Sequence, residues 1–166
     1  MRKLSHYTKQ GEVSMVDVSA KSVTRRTALA HAFVRMSPRV LKAVRALKNP
    51  KGNPLEIARI AGIAAAKRTA EWIPLCHPIP LTHIDVTPRL CKDGVELESQ
   101  ATAMAQTGVE MEALVAVTCA ALTVYDMCKA LDKGIEIAHI HLLEKKGGKS
   151  GDYVRPDGGK ARRVRK

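Results

Sequence analysis

A long apolar segment between Val109 and Leu131 dominates the hydrophobic pattern of this chain and predicts one helix. Its thirteen central residues, Ala113 to Tyr125, carry no charge, and its four charged residues stand in two pairs near the ends. Thirteen apolar residues are too few to cross a bilayer and are typical of a helix buried in a protein core. A helix of this length runs roughly 35 Å, more than twice the ~15 Å radius of gyration of such a domain. We therefore expect its two charged ends to emerge near opposite edges of the protomer.

Shorter patterns predict two more helices and four strands. Ser37-Pro38 and Asn53-Pro54 are typical helix starts, with an N-cap residue followed by a proline in the first turn. Val95 and Leu97 alternate with charged residues after a turn at residues 92–94, which favours a hairpin. The predicted strands cover 27–36, 83–87, 95–103 and 135–143. The predicted helices cover 39–47, 54–70 and 109–131, the last with Gly134 as its cap. Segment 27–36 is ambiguous between strand and helix, and Phe33-Val34 favours the strand.

The order β-α-α-β-β-α-β predicts an α+β fold. It suits a four-stranded antiparallel sheet with helices packed on one face, close to the ferredoxin-like arrangement. The 166 residues suit one domain with a sizeable core. We expect that domain to cover residues 1–154 and to be followed by a basic, disordered tail over 155–166.

Composition narrows the chemistry and the cellular compartment. Apolar residues make up 45% of the chain and aromatic residues only 3%, so the core must be built from Ala, Val, Ile and Leu. The four cysteines show no metal-binding spacing, which predicts reduced thiols and no metal site. Residues 1–18 contain no apolar run of signal-peptide length. These features predict a cytoplasmic protein with no membrane association.

The net charge of +12 is concentrated at the end of the chain. Residues 145–166 contain nine Lys and Arg against two Asp. This stretch is rich in glycine and lacks apolar periodicity, so a solvated extension is its simplest interpretation. Nucleic-acid binding is the alternative, but only Tyr153 offers a stacking ring there and no RNA-binding signature is present. The sequence therefore favours a solvated extension over nucleic-acid binding.

Four groups are candidates for chemistry, and each also has a structural explanation. Lys51 lies in a rigid turn that could aim its amine into a cleft. An ordinary exposed loop lysine would also suit this position. Cys76-His77 lies between prolines and also suits a partly buried histidine bonded to the backbone. Glu110 and Glu112 complement the dipole at a helix N-terminus, and Asp126 with Lys129 suits a surface ion pair at i and i+3.

The glycine-rich stretch Gly147 to Gly151 is similar to a phosphate-binding loop. A P-loop requires a glycine five residues before Gly148, and that position is Leu143. The sequence therefore does not favour a nucleotidase of the P-loop class. The turn and its lysines can still present N–H groups and amines to phosphate oxygens.

Six motifs taken together resemble one family. They are residues 15–19 (MVDVS), 58–69 (ARIAGIAAAKRT), 73–78 (IPLCHP), 107–114 (TGVEMEAL), 125–130 (YDMCKA) and 147–152 (GGKSGD). In this order they resemble the cyclic pyranopterin monophosphate synthases, accessory protein C of molybdenum cofactor biosynthesis. The resemblance covers roughly residues 14–153.

The resemblance implies a specific activity. Family members are lyases that convert 3′,8-cyclo-7,8-dihydroguanosine 5′-triphosphate into cyclic pyranopterin monophosphate and release pyrophosphate. Their substrate comes from an upstream radical S-adenosylmethionine enzyme. Members form homohexamers, trimers of dimers, with active sites at the dimer interface. No redox cofactor is expected because the substrate is rearranged without net electron transfer, and a Mg²⁺ requirement of the triphosphate stays open.

The resemblance also implies the site residues. Asp126 matches the family's active-site aspartate, and Lys129 and Lys51 are the accompanying catalytic candidates. The lysines could transfer protons if burial and neighbouring cations lower their pKa; which is acid and which is base stays open. The residues that match the family's substrate-binding positions are Leu75, Cys76, His77, Glu110, Met111, Glu112 and Lys145.

Two alternatives to an active synthase remain. A phosphate-binding or RNA-binding module would show salt-dependent nucleic-acid affinity that disappears with the tail. A non-catalytic relative with a degenerate pocket is disfavoured, because the charged family positions are present.

The spacing of Glu112 and Asp126 predicts where the active site is assembled. The two residues are fourteen positions apart, about 21 Å along a helix and about 40° around it. One small nucleotide does not comfortably bridge that distance along a straight helix. Antiparallel crossing of two such helices at a two-fold axis would bring Glu112 of one protomer towards Asp126 of the other. We therefore expect each site to combine residues from two chains.

Overall fold

The computed structural model describes Tyr7 and residues 10–156. In chain order the elements are β1 (Thr24–Arg35), α1 (Pro38–Arg45), α2 (Pro54–Ala66), α3 (Thr69–Trp72), β2 (His83–Leu90), β3 (Gly94–Ala105), α4 (Glu110–Cys128), β4 (Glu136–Lys146) and β5 (Tyr153–Val154). The predicted tail falls almost entirely on residues 157–166, outside the described residues.

The strands form one antiparallel sheet in the order β2-β3-β1-β4-β5. The α+β class and the antiparallel sheet are confirmed, but the expected number of strands is wrong. The two-residue strand β5 pairs with Glu144 and Lys145 at the edge and makes the sheet five-stranded. It folds the chain after the glycine-rich turn back along β4.

The core is built from small aliphatic side chains, as the composition predicts. Alternate residues of β1, from Ala28 to Val34, are buried in one cluster with α4 and β3. Gly62 of α2 marks the closest approach of the helices, since a Cβ there would lie 2.7 Å from the Ala116 carbonyl oxygen of α4. Small residues thus let α2 and α4 pack closely side by side on the sheet, α2 against β2 and α4 against β1, β3 and β4.

Helix α4 is a core helix, as its uncharged centre predicts. Length and composition alone would allow it to cross a membrane, but 56% of its most apolar 18-residue stretch is buried inside the protein. Its nineteen residues correspond to roughly 28 Å at ~1.5 Å per residue. Burial inside the protein explains its apolar centre without a membrane.

All three predicted helices end earlier than expected, and α1 ends at Arg45 instead of Leu47. Helix α2 ends at Ala66 and not at Ala70, where the Thr69 hydroxyl donates a hydrogen bond to the Ala66 carbonyl. Helix α4 ends at Cys128 with Lys129 as its C-cap, so Gly134 is not the cap. The Gly134 N–H instead donates to the Asp132 carboxylate in the following loop. At the end of α2, the Thr69 hydroxyl thus occupies the Ala66 carbonyl, which a longer helix would have bonded to a backbone N–H.

Candidate active site

The predicted catalytic residues meet at the C-terminal end of α4. Asp126 accepts hydrogen bonds from Lys51 Nζ at 2.8 Å and from Lys129 Nζ at 2.7 Å, through different carboxylate oxygens. Lys51 also donates to the Asp126 backbone carbonyl at 3.1 Å. Lys51 is delivered by the turn between α1 and α2, far from Asp126 in sequence. We call these three residues the Asp126 cluster.

Hydrogen bonding and charge shift the pKa of two groups in the Asp126 cluster, Asp126 and Lys129. Hydrogen bonds from Lys129 and then Lys51 lower the pKa of Asp126 to about 2, so its carboxyl group is ionised at neutral pH. The hydrogen bond to Asp126 and its charge raise the pKa of Lys129. The expectation of a lowered pKa is therefore wrong for Lys129 in this chain, because its side chain is half exposed and faces an anion. Lys129 is an ammonium group that can donate a proton, and the i, i+3 ion pair of the structural explanation is present too.

The six predicted substrate-binding residues near the other end of α4 line one cleft of about 390 Å³. They are Leu75, Cys76, His77, Glu110, Met111 and Glu112. The proline-bounded loop before β2 supplies the first three, and the first turn of α4 supplies the others. Each half of this set therefore comes from one continuous stretch of sequence, and the packing of α4 brings the two stretches together.

Glu112 is the most unusual ionisable group in this cleft. It is 3% exposed, and no described residue bonds to its Oε2 atom. Burial, followed by the nearby Glu110 charge, raises the pKa of Glu112 to about 7. Near neutral pH its carboxyl group can therefore exist in both protonation states, as a hydrogen-bond donor or as an acceptor.

Cys76 and His77 have structural contacts in the cleft. Burial and the Glu112 charge raise the pKa of the Cys76 thiol, so this cysteine is not activated as a nucleophile. His77 Nε2 donates to the Val16 carbonyl at 2.9 Å. That bond ties the N-terminal segment across the cleft, where Val16 and Val18 also line the wall.

A second cleft of about 610 Å³ adjoins the first and is lined by cations. The two share Lys21, Thr107, Gly108 and Glu110. Lys145 lies in the second cleft, with its Nζ atom 3.9 Å from Glu110 Oε1. Lys149 and the glycine-rich turn complete its wall. The pair of clefts therefore joins a carboxylate-containing chamber to a cationic one.

Comparison with known proteins decides the family. The model of the MoaC family matches residues 15–148. The chain belongs to the MoaC family. Similar relatives, each named cyclic pyranopterin monophosphate synthase, include those of Shouchella clausii (52% identity, 94% of this chain and 96% of the relative), Nostoc sp. (52%, 92% and 92%) and Desulfatibacillum aliphaticivorans (51%, 93% and 98%). The family predicted from the six motifs is confirmed, and with it the enzyme class, a lyase of molybdenum cofactor biosynthesis.

Sequence reasoning missed two cations that line these clefts. Lys21 lines both clefts, and Arg26 lines the cationic one. Arg26 Nη1 donates to the Gly147 carbonyl at 3.0 Å and fixes the glycine-rich turn against β1. Neither residue lies in a patterned stretch, although the segment that lines the cationic cleft begins at Ala20, directly after the 15–19 motif.

The structure does not bring every predicted site residue together within one chain. Glu112 and Asp126 lie in the first and last turns of α4, about 21 Å apart along its axis. Lys145 lies near Glu110, at the end of α4 opposite the Asp126 cluster. Among the described residues no group of three or more His, Cys, Asp and Glu side chains is placed to hold a metal ion.

Proposed function

We propose that this protein converts 3′,8-cyclo-7,8-dihydroguanosine 5′-triphosphate into cyclic pyranopterin monophosphate and pyrophosphate in the cytoplasm. Relatives that share half of its residues carry the name of the synthase. The observation that carries the proposal is the joined pair of clefts, one with a buried carboxyl group and one lined by cations. This pairing matches a substrate with a purine-derived ring at one end and a triphosphate at the other.

The chemistry of the two clefts suggests how the substrate lies. The ring of the substrate presents N–H donors, and Glu112 and Glu110 offer carboxyl oxygens to them. The triphosphate would extend towards Lys145, Lys21 and Lys149, whose charges stabilise the negative charge that develops on the departing pyrophosphate. No redox cofactor is proposed, because the conversion involves no net electron transfer, and any Mg²⁺ would accompany the triphosphate.

The Asp126 cluster would supply the proton transfers. Rearrangement of the ribose-derived ring needs a proton donor and a proton acceptor, each typically worth ~10²–10⁴-fold in rate. Lys129 would be the acid because it carries a proton at neutral pH, although its raised pKa means that it holds this proton more tightly than an ordinary lysine does. Lys51 is bonded to the other oxygen of the Asp126 carboxylate and would be the second group in these proton transfers.

A site shared between two chains would reconcile these roles with the length of α4. The clefts and the Asp126 cluster lie at opposite ends of one helix, too far apart for one small substrate. A two-fold axis relating two copies of α4 would place the cluster of one chain beside the clefts of its partner. We propose a homohexamer of three such dimers, supplied by a radical S-adenosylmethionine enzyme.

The strand order supports the finer description of the fold as ferredoxin-like. Within the order β2-β3-β1-β4-β5, the four long strands alternate with helices along the chain as β-α-β-β-α-β when α1–α3 count as one helical layer. Strand β5 would then be an addition at one edge.

Incubation with the enzymatically prepared cyclic nucleotide tests the activity. We expect pyrophosphate and the pterin product to form in equal amounts, and the Lys51→Ala variant to form neither above background. Absence of both products with the folded wild-type chain would contradict the proposed function.

Mixing two inactive variants tests the shared site. Glu112→Ala and Asp126→Ala chains, unfolded together and reassembled, should regain activity, since a mixed dimer holds one pocket with both residues. Each variant reassembled alone is the control. No recovery at any mixing ratio would rule out a site built from two chains.

A further inference from the structure

The turn that carries Lys51 is anchored by a buried residue that the reaction does not use. Residues 45–52 are exposed except for Asn49, which is 6% exposed. Asn49 Nδ2 donates to the Cys128 thiol sulfur at 3.3 Å, and Asn49 Oδ1 accepts from the Lys51 backbone N–H at 3.0 Å. One side chain thus connects the last residue of α4 to the backbone of Lys51.

The ion pair of the Asp126 cluster is too weak to position the turn by itself. The side chains of Lys51 and Asp126 are 45% and 53% exposed, and ion pairs this exposed contribute little because water screens them. Asn49, in contrast, is enclosed, and a buried amide group holds its geometry because any movement leaves its N–H and C=O groups without partners. The Gly52 N–H also donates to the Asn49 carbonyl at 3.0 Å and closes the turn around Lys51.

The partner of Asn49 is equally well placed for this purpose. Cys128 is completely buried and lies two residues after Asp126 on the same helix. Burial raises the pKa of its thiol, so the group remains uncharged at neutral pH and serves only as a hydrogen-bonding partner. A fixed Asn49–Cys128 contact therefore fixes the Lys51 backbone relative to the turn of α4 that carries Asp126.

We infer that Asn49 is a positioning residue that sets the Lys51 amine against the Asp126 carboxylate through its bonds to Cys128 and to the Lys51 backbone. This inference rests on the proposed role of Lys51 in turnover, but the geometry it describes does not depend on any substrate. The role explains why a polar side chain is buried at the centre of an otherwise exposed turn.

Crystal structures of the Asn49→Ala variant and of a matched control test the geometry. The control is Asn53→Ala in the same turn, because the Asn53 side chain caps α2 through Leu55 and Glu56. We expect the 2.8 Å contact between Lys51 Nζ and Asp126 Oδ2 to be lost in Asn49→Ala and kept in Asn53→Ala. An intact contact in Asn49→Ala would overturn the inference, whatever the activity.

Kinetics of the same variants test the consequence. Misplacement of a reacting group by about 1 Å can cost ~10²-fold, so kcat of Asn49→Ala should fall by about 10- to 100-fold with KM nearly unchanged. Asn53→Ala loses helix stability but should keep the kcat of the wild type. An equal loss of kcat in both variants would show that Asn49 serves stability alone and would overturn the inference.

A second pair of variants decides the question if Asn49→Ala does not fold. Cys128→Ala removes the acceptor of the Asn49 amide, whereas Cys128→Ser replaces it with a hydroxyl oxygen. We expect Cys128→Ser to restore most of the kcat that Cys128→Ala loses, and equal values for the two would count against the inference. If Lys51→Ala retained full turnover, the proposed role of Lys51 would fail, while the crystallographic result for Asn49 would stand.

Discussion

The buried carboxyl group of Glu112 should make the stability of this protein depend on pH. Its pKa is about 7 in the folded chain, against 4.5 for an ordinary glutamate. Below pH 4.5 both the folded and the unfolded chain hold the proton, so the group has no effect on stability. Between these values the unfolded chain releases the proton first, and the free energy of unfolding falls as pH rises.

The size of this effect follows from the difference in pKa. At ~1.36 kcal/mol per unit, the shift corresponds to about 3 kcal/mol lost once the pH exceeds the folded pKa. Glutamine has nearly the shape of a protonated glutamate and cannot ionise. Glu112→Gln should therefore match the wild type near pH 4.5 and be more stable by up to about 3 kcal/mol at pH 8.

Urea unfolding at a fixed chain concentration measures this difference, with Glu110→Gln as the control variant at a neighbouring position that is only partly buried. We compare the variant with the wild type at each pH, so that other titrating groups cancel. A stability gain for Glu112→Gln that is the same at pH 5 and pH 8 would refute the reasoning. It would mean that the carboxyl group is not desolvated in the folded chain.

Three further predictions concern the cluster, the tail and the core. Asp126→Ala and Lys129→Ala should each abolish pyrophosphate release and leave the assembly state unchanged in sedimentation. Near-normal turnover by either variant would contradict the catalytic assignment, and loss of the assembly would favour a purely structural ion pair. Deletion of residues 156–166 should leave turnover within severalfold of the full chain, because the deleted segment lies beyond the family match. A large loss of turnover at physiological salt would show that the tail binds the triphosphate. Gly62→Val should lower the free energy of unfolding by roughly 1–3 kcal/mol through overpacking, since its Cβ would lie 2.8 Å from Val86 Cγ2. Unchanged urea unfolding would show that α2 can move away from its neighbours in α4 and β2.

The elements with a clear period were predictable from sequence, and the exceptions have physical causes. Strand β1 was ambiguous because it pairs on both sides, with β3 and β4, and alternate residues on one face are buried alanines. A central strand of this kind shows little polar alternation and shares its composition with helices. Strand β5 has two residues, too few for any period, and depends on the turn that precedes it.

The site was predictable where its residues lie in continuous motifs. Cys76, His77 and Glu112 lie in such motifs, and packing brings them into one cleft. Arg26 was missed because its partner Gly147 is 121 positions away, and nothing near Arg26 in sequence signals that contact. The protonation of Lys129 was misjudged because its exposure and its anionic neighbour depend on the folded geometry.

The fourteen-residue spacing between Glu112 and Asp126 limits how this helix can change in length. One inserted residue would rotate the last turn of α4 by ~100° relative to the first and advance it by ~1.5 Å. The buried side chains are mostly small, so many substitutions could preserve their volume, but no substitution could restore this rotation. An insertion or deletion between the two residues would turn either Glu112 or Asp126 away from its neighbours. Natural variation within the central part of α4 should therefore consist of replacements at constant length.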